Sequence, residues 1–388
     1  MNRPPGLDGE VTYLDYNATT PVDPRVVEAC LPYLARHFGN PSSGHVFGHV
    51  ARDAVASARG QVADLLDCAP EEVVFTGGGS EGDTLAVCGA ALARRDRGDH
   101  VITQATEHPA VLAACDSLVR LHGFRVTRLP VDRHGLVDPN DLRRALTGRT
   151  VLVSIMHANN ETGTVQAVAE LAAIAHAGGA VFHTDAAQSV GKIPVSVREL
   201  GVDLLTVAGH KLYAPKGVGA LFVRRGLALE PVVHGGGQER GLRAGTENVP
   251  YAVAMGVAAR LAAEALPGEP ERLRRLRDEL HADLDQRLPG RVHLNGHPEQ
   301  RLPNTLNICV DGTVASELQA ALSGVAASAG SACHEGDESP SPVLTAMGLP
   351  AGRATSALRL SLGRWTGEED VRRAADQVAA AVGLTDRA

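Results

Sequence analysis

Short apolar runs alternate with amphipathic stretches along residues 71–223. The runs are rich in Val and Ile and are bounded by Gly, Pro, Asp or His, which is typical of buried strands. The stretches between them repeat their apolar positions with the period of a helix. The predicted strands are 72–76, 100–103, 125–129, 151–156, 180–184, 204–207 and 218–223, and the predicted helices are 81–95, 110–122 and 167–177. This alternation predicts an α/β fold with a mostly parallel sheet covered on both faces.

The pattern changes after residue 250, where a long helical stretch reaches about residue 288 with an interruption near 267–270. A second, smaller α/β region follows it. The elements predicted there are strands 304–310 and 357–362 and helices 315–322 and 368–382, and a further helix at 23–36 opens with Asp-Pro. The boundary between the two regions is expected near residue 260.

Charge and cysteine usage narrow the functional classes. The 388 residues carry 37 Lys+Arg against 45 Asp+Glu, a formal charge of −8, and this balance argues against direct nucleic-acid binding. No run approaches the roughly 20 apolar residues that span a bilayer, and residues 1–10 lack the apolar centre of a secretion signal. The six cysteines are dispersed without CxxC pairs, so we expect a reduced, cytoplasmic protein without a metal site.

Candidate chemistry follows the ends of the predicted strands, where ligands of such sheets bind. Lys211 closes the segment AGHK directly after the strand 204–207. Desolvation lowers the pKa of a lysine in such a place, so that its amine can form a Schiff base with an aldehyde cofactor. A lysine in a surface loop is the alternative.

Two further clusters complete the pattern. Asp185 follows the strand 180–184, where a buried carboxylate needs a cationic partner such as a protonated pyridine nitrogen, unless it only caps a helix. The segment 76–81 (TGGGSE) lets backbone N–H groups at a helix start approach a phosphate, and it lacks the Gly-Lys-Ser/Thr ending of an ATP loop. Lysine, aspartate and phosphate cradle together describe a site for pyridoxal 5′-phosphate (PLP).

With these residues in view, the sequence resembles the cysteine desulfurases, PLP enzymes related to class V aminotransferases, and the neighbouring selenocysteine lyases. The resemblance runs from residue 13 to about 364. Its motifs are 13–21 (YLDYNATTP), 39–41 (GNP), 106–108 (TEH), 159–163 (NNETG), 243–246 (RAGT), 331–333 (SAC) and 358–361 (LRLS). It implies the PLP-dependent transferase fold of aspartate aminotransferase, with a large PLP-binding domain at 14–260 and a small domain made of 1–13 and 261–388.

The resemblance also implies roles at matching positions. Lys211 would hold PLP as an imine, Asp185 would pair with its pyridine nitrogen, and His108 would stack on the ring and help to move protons. Arg359 would clamp the substrate carboxylate, a task suited to its planar donors. The other implied contacts are Gln188 at the phenolic oxygen, Asn159 near that oxygen and the substrate, and Gly79, Ser80, His210 and, in a homodimer, the partner subunit's Thr246 at the phosphate. A packed loop histidine and a structural ion pair are the alternatives for His108 and Arg359.

Cys333 lies in the small-residue segment 326–337, which reads as an accessible loop where a thiolate can react. In the family this position is the nucleophile that accepts the substrate sulfur as a persulfide. The other five cysteines read as small core residues, namely Cys30, Cys68, Cys88, Cys115 and Cys309.

The resemblance therefore implies a cysteine desulfurase that converts L-cysteine into L-alanine and passes the Cys333 persulfide to an acceptor protein. Candidate uses are iron–sulfur assembly, tRNA thiolation and sulfur modification of DNA. Three positions depart from the commonest desulfurase pattern, namely Gly82, Thr84 and Ala208, and the segment 333–344 resembles selenocysteine lyases equally well. Selenocysteine lyase is thus the first alternative. An ordinary aminotransferase would not need Cys333, and a scaffold without catalysis would not need the retained site residues.

Overall fold

The computed structural model describes residues 3–329 and 339–385. The strands are β1 Thr12–Tyr13, β2 Val73–Thr76, β3 His100–Gln104, β4 Arg125–Leu129, β5 Thr150–Ser154, β6 Val181–Asp185, β7 Leu204–Ala208, β8 Gly219–Val223, β9 Val292–Leu294, β10 Thr305–Val310, β11 Val325–Ala326, β12 Ser328–Ala329 and β13 Ala357–Ser361. The helices are α1 Pro24–Ala35, α2 Val46–Leu66, α3 Gly79–Thr84, α4 Ala90–Ala93, α5 Pro109–His122, α6 Pro139–Ala145, α7 Val168–Ala177, α8 Val197–Leu200, α9 Val249–Ala265, α10 Glu269–Arg287, α11 Ala315–Ala321, α12 Pro342–Ala346, α13 Ala351–Ala354 and α14 Glu368–Thr385.

A seven-stranded sheet in the order β2-β8-β7-β6-β5-β3-β4 confirms the predicted fold class. Its strands are parallel except β8, which is antiparallel to both of its neighbours. Successive residues face opposite cores, since Val73 and Phe75 pack into one apolar cluster and Val74 into another. Burial of both faces explains why these strands appear in the sequence as continuous apolar runs.

The helices on this sheet agree with the expectations at most positions. The predicted helix 81–95 is present at 79–93, but a π-helical segment, Leu85–Gly89, separates α3 from α4. Helix α2 was not predicted. It packs against α9, which also contacts α1, in the larger of the apolar clusters. The predicted interruption at 267–270 is confirmed, because α9 and α10 meet there at 74°.

A four-stranded antiparallel sheet, β12-β13-β10-β9, forms the smaller α/β region with α10, α11 and α14. The N-terminal segment joins it, since β1 pairs with β11 and Leu14 lies in its core. The domain limits remain a prediction, and residue 260 lies inside α9. Among the described residues no single helix has the length and apolarity to cross a membrane. The bent pair α9–α10 passes by length and composition only.

Candidate active site

A cavity of about 600 Å³ opens at the carboxyl ends of the parallel strands. This is the edge at which open α/β sheets bind ligands, and the volume suits a small cofactor with its substrate. The sequence-predicted residues that line it are Gly79, Ser80, His108, Asp185, Gln188, His210, Lys211 and Arg359.

Lys211 lies in the short 3₁₀ turn Gly209–Lys211 that directly follows β7. The turn packs so closely that a Cβ on Gly209 would lie 2.7 Å from the carbonyl oxygen of Val218. Nζ of Lys211 donates to the carbonyl oxygen of Ala18 at 2.7 Å and to that of Asn17. Burial, with a smaller contribution from the nearby Arg359, lowers the pKa of Lys211 to about 8. The amine therefore lies inside the cavity and is readily deprotonated, unlike a surface lysine.

Asp185 closes β6, and its Oδ1 accepts a hydrogen bond from the backbone N–H of Ala187 at 2.9 Å. Charged-group atoms of Asp83, His108 and Asp185 all lie within 4.8 Å of one another. Within the described part of the chain, Oδ1 of Asp83 has no hydrogen-bond partner although it is buried. Burial raises the pKa of both carboxyls, and the nearby Asp185 raises the pKa of Asp83 further. A cation placed between them would relieve this cost.

His108 and Gln188 flank the same space. His108 is half-buried and caps α5, where its Nδ1 accepts from the backbone N–H of Ala110 at 3.2 Å. Burial lowers the pKa of His108, so its ring is neutral near pH 7. The buried Gln188 accepts through Oε1 from Nζ of Lys192 at 2.6 Å and donates through Nε2 to the carbonyl oxygen of Asn17 at 2.9 Å.

The glycine segment after β2 forms the start of α3. Gly78 has a φ of +151°, which favours glycine, and the N–H of Gly77 donates to Oε2 of Glu81 at 2.9 Å. The first N–H groups of a helix have no acceptor within it, so those at Gly79 and Ser80 remain for a ligand at the cavity wall. His210 lies beside them with its pKa lowered to about 4 by burial and by Lys211.

Arg359 is 1% exposed and reaches the cavity from β13. Its Nη2 donates to Asp15 at 2.8 Å and to Ser328 at 3.0 Å, and Nη1 donates to the carbonyl oxygen of Asn160 at 3.1 Å. The ion pair considered for Arg359 is thus present. Its Nε is buried and has no partner among the described residues, so one donor is still available.

Two of the predicted residues that the structure describes do not line the cavity. Asn159 is buried behind the wall, where its Oδ1 accepts from the N–H groups of Glu161 and Thr162 at 2.9 Å and holds a turn. Thr246 is exposed outside the cavity of its own chain. Cys333 lies outside the described residues. The contacts predicted for these three residues remain predictions.

Sequence reasoning did not single out several residues of the site. Asn17 is 1% exposed, and its backbone oxygen accepts from both Lys211 and Gln188. It belongs to the motif 13–21, which was a signal for the family but not for a role. Glu161 is buried, accepts from Oγ of Ser341 at 2.5 Å and has its pKa raised to about 7 by burial.

The residues present fit PLP. The site offers a deprotonatable amine, two buried carboxyls with raised pKa values, backbone donors at a helix start and a buried guanidinium whose Nε has no partner among the described residues. These match the aldehyde, the pyridine nitrogen, the phosphate and a substrate carboxylate in chemical type.

Comparison with known proteins gives the same family. The model for class V aminotransferases matches residues 12–374. The chain is 47% identical over 362 residues to "Cysteine desulfurase IscS" of Dictyoglomus turgidum, covering 92% of this chain and 91% of that protein.

Two solved structures are also similar. A "NifS-like protein" superposes with a TM-score of 0.90 at 36% identity, covering 96% of this chain and all of that one. "SspA in complex with cysteine" has a TM-score of 0.79 at 36% identity, covering 90% and 98%. These names favour desulfurases over selenocysteine lyases. The chain belongs to the class V aminotransferase family and, within it, to the cysteine desulfurases.

Proposed function

We propose that this protein removes sulfur from L-cysteine with PLP as cofactor. The reaction breaks the substrate Cβ–S bond, forms a bond between that sulfur and Sγ of Cys333, and gives L-alanine and the Cys333 persulfide. The observation that carries the proposal is the amine of Lys211, with its pKa lowered to about 8, in one cavity with Asp185 and Arg359. A similar solved protein is described as being in complex with cysteine, which supports the choice of substrate.

The cavity residues divide the work between binding and proton transfer. PLP, when bound, supplies an electron sink for the substrate α-carbon. Lys211 would hold the cofactor aldehyde through Nζ, and either that amine or the neutral His108 ring would move the α-proton. Asp185 pairs with the pyridine nitrogen, and Arg359 binds the substrate carboxylate. The other residues that would contact the cofactor are Gln188 near the phenolic oxygen, and Gly79, Ser80, His210 and the partner subunit's Thr246 at the phosphate. Asn159 would lie near the same phenolic oxygen, behind the cavity wall.

The chain on either side of Cys333 supports its role as sulfur acceptor. Ser328, five residues before it, accepts from Nη2 of Arg359 at 3.0 Å, and Ser339, six residues after it, lines the cavity. Both described ends of the segment that carries Cys333 therefore lie at the site.

Two further proposals concern assembly and location. We propose a homodimer, because Val27, Leu31 and Leu34 form an exposed apolar face on α1 and Phe47 is 54% exposed at the start of α2. A second copy would cover this surface and bring the partner subunit's Thr246 to the phosphate. We also propose a cytoplasmic location and an acceptor protein for the persulfide, and the free thiols of the five described cysteines fit a reducing compartment.

The test is intact-mass analysis after exposure to L-cysteine, with the modified peptide located and alanine measured in parallel. We expect one added sulfur on Cys333 that reductant removes. Cys333→Ser should lose both the added sulfur and the alanine, and Cys68→Ser is the matched control because burial raises the pKa of that thiol to about 12. Alanine formation that survives Cys333→Ser would refute the persulfide route, and a preference for selenocysteine would favour the lyase.

A further inference from the structure

Lys192 stands out among the basic residues of the chain. Only three of the 37 basic residues are lysines, namely Lys192, Lys211 and Lys216. Lys216 is exposed and Lys211 is the cavity amine, whereas the Nζ of Lys192 donates to two residues that line the cavity. The other basic residues of this chain are almost all arginines, whereas residue 192 is a compact amine, whose shape and donor geometry differ from those of a planar guanidinium.

The Nζ of Lys192 donates hydrogen bonds to two side-chain oxygens. It donates to Oε1 of Gln188 at 2.6 Å and to Oδ1 of Asn17 at 3.0 Å. The other end of the Gln188 amide donates through Nε2 to the carbonyl oxygen of Asn17 at 2.9 Å. A flipped amide would set its NH₂ against the lysine donor and its oxygen against a carbonyl, so these contacts allow only one orientation.

We propose that Lys192 is a positioning residue that fixes the Gln188 amide with its NH₂ end available to an anionic oxygen of the bound cofactor. Because Oε1 is engaged by Lys192, Gln188 presents a donor and not an acceptor to the cavity. The inference rests on the proposed binding of PLP at Lys211.

The donor role does not require Lys192 to be charged. Burial, with Lys211 and Arg359 nearby, lowers its pKa. A neutral amine still carries two N–H groups, which match its two acceptors. The charged and titratable groups that face Lys211 are Arg359, Asp15, Asp185, His108, His210 and Lys192 itself, and Lys192 also lowers the pKa of His210. A direct electrostatic effect of the substitution at residue 192 would act equally with and without the Gln188 amide, whereas loss of the positioning contact would not.

The test is a pH titration of the visible absorbance of bound PLP in the purified holoenzyme. Lys192→Met keeps the length of the side chain but removes the donor, so the Gln188 amide is released. Loss of a donor to the phenolic oxygen makes that oxygen a stronger base, so the midpoint of the titration should rise by about one pH unit. Lys216→Met is the matched control and should leave the midpoint unchanged.

A double-mutant cycle separates positioning from a general loss of stability. In a Gln188→Met background, Lys192→Met should produce no further shift. An unchanged midpoint in Lys192→Met alone, or an equal shift in both backgrounds, overturns the inference. A wild-type protein without a visible band refutes the proposed cofactor instead. A crystal structure of the wild-type holoenzyme tests the contact itself, whether or not Lys192→Met folds. A distance above 3.5 Å between Nζ of Lys192 and Oε1 of Gln188 in that structure overturns the inference.

Discussion

The ion pair between Arg364 and Asp23 joins two segments that lie near opposite ends of the chain. Nη1 of Arg364 donates to Oδ2 of Asp23 at 2.7 Å, and the two side chains are 3% and 2% exposed. The Arg364 guanidinium also lies 4.2 Å from the ring centroid of Tyr213, two residues after Lys211. Arg364→Met removes the charge and the donors but retains most of the apolar volume.

The expected loss of stability depends on which partners Asp23 keeps in Arg364→Met. Removing one partner of a buried ion pair costs about 3–5 kcal/mol. Arg25 still bonds both oxygens of Asp23, so we expect the lower end, about 3 kcal/mol including the contact with Tyr213. Unfolding entropy for 388 residues is about 0.8 kcal/mol per degree, so the melting temperature should fall by about 4 °C.

Thermal unfolding followed by circular dichroism measures this loss, with Arg274→Met as control for an exposed arginine. Burial raises the pKa of Asp23, but the bonds from Arg25 and Arg364 outweigh it, so the net pKa is lowered. The stabilisation is therefore present above about pH 4 and is lost as the pH falls through the lowered value. The difference in melting temperature between wild type and Arg364→Met should therefore decrease only in acid. A melting temperature within 1 °C of the control, or a gap independent of pH down to about pH 2, would refute the reasoning.

Three further predictions concern the cavity and its surroundings. Lys211→Ala should abolish the visible absorbance of bound PLP and lower alanine formation at least about a thousandfold, and retained absorbance at wild-type strength would contradict the assignment. The raised pKa of Glu161, about 7, makes the free energy of unfolding of the wild type fall as the pH rises from about 4.5 to 7. Glu161→Gln does not titrate, so urea titrations of this variant should show a fall that is smaller by up to about 3 kcal/mol. Phe47→Glu should weaken self-association at least about tenfold in sedimentation velocity, and unchanged association would place the dimer contact elsewhere.

The strands of the large sheet were predictable because both of their faces are buried. Each predicted strand agrees with the structure to within two residues at either end. Helix α2 was missed for the opposite reason, since Val46, Phe47 and Val50 are exposed apolar residues that obscure its amphipathic pattern. The π-helical segment Leu85–Gly89 was missed as well, because a run of residues buried on every side has no periodicity to mark a wider turn.

The site residues were predictable where they follow a strand. Lys211 and Asp185 directly follow predicted buried strands, and the structure brings both into one cavity. Asn17 and Lys192 have no such local signal. Their contact joins positions 175 residues apart, so it depends on how the segments fold together and not on any neighbouring pattern.

The contacts of Asn17 join the cavity to segments near the C-terminal end of the chain. Its backbone N–H donates to Oγ of Ser361 at 2.9 Å and its Nδ2 donates to Oγ1 of Thr305 at 2.8 Å. Synthesis proceeds from the N-terminus, so all seven strands of the large sheet leave the ribosome well before β13. The nascent chain can build its sheet early, yet the oxygen that receives the Lys211 amine is fixed only when Ser361 arrives. We therefore expect the cavity around Lys211 to be completed only after Ser361 has been synthesised.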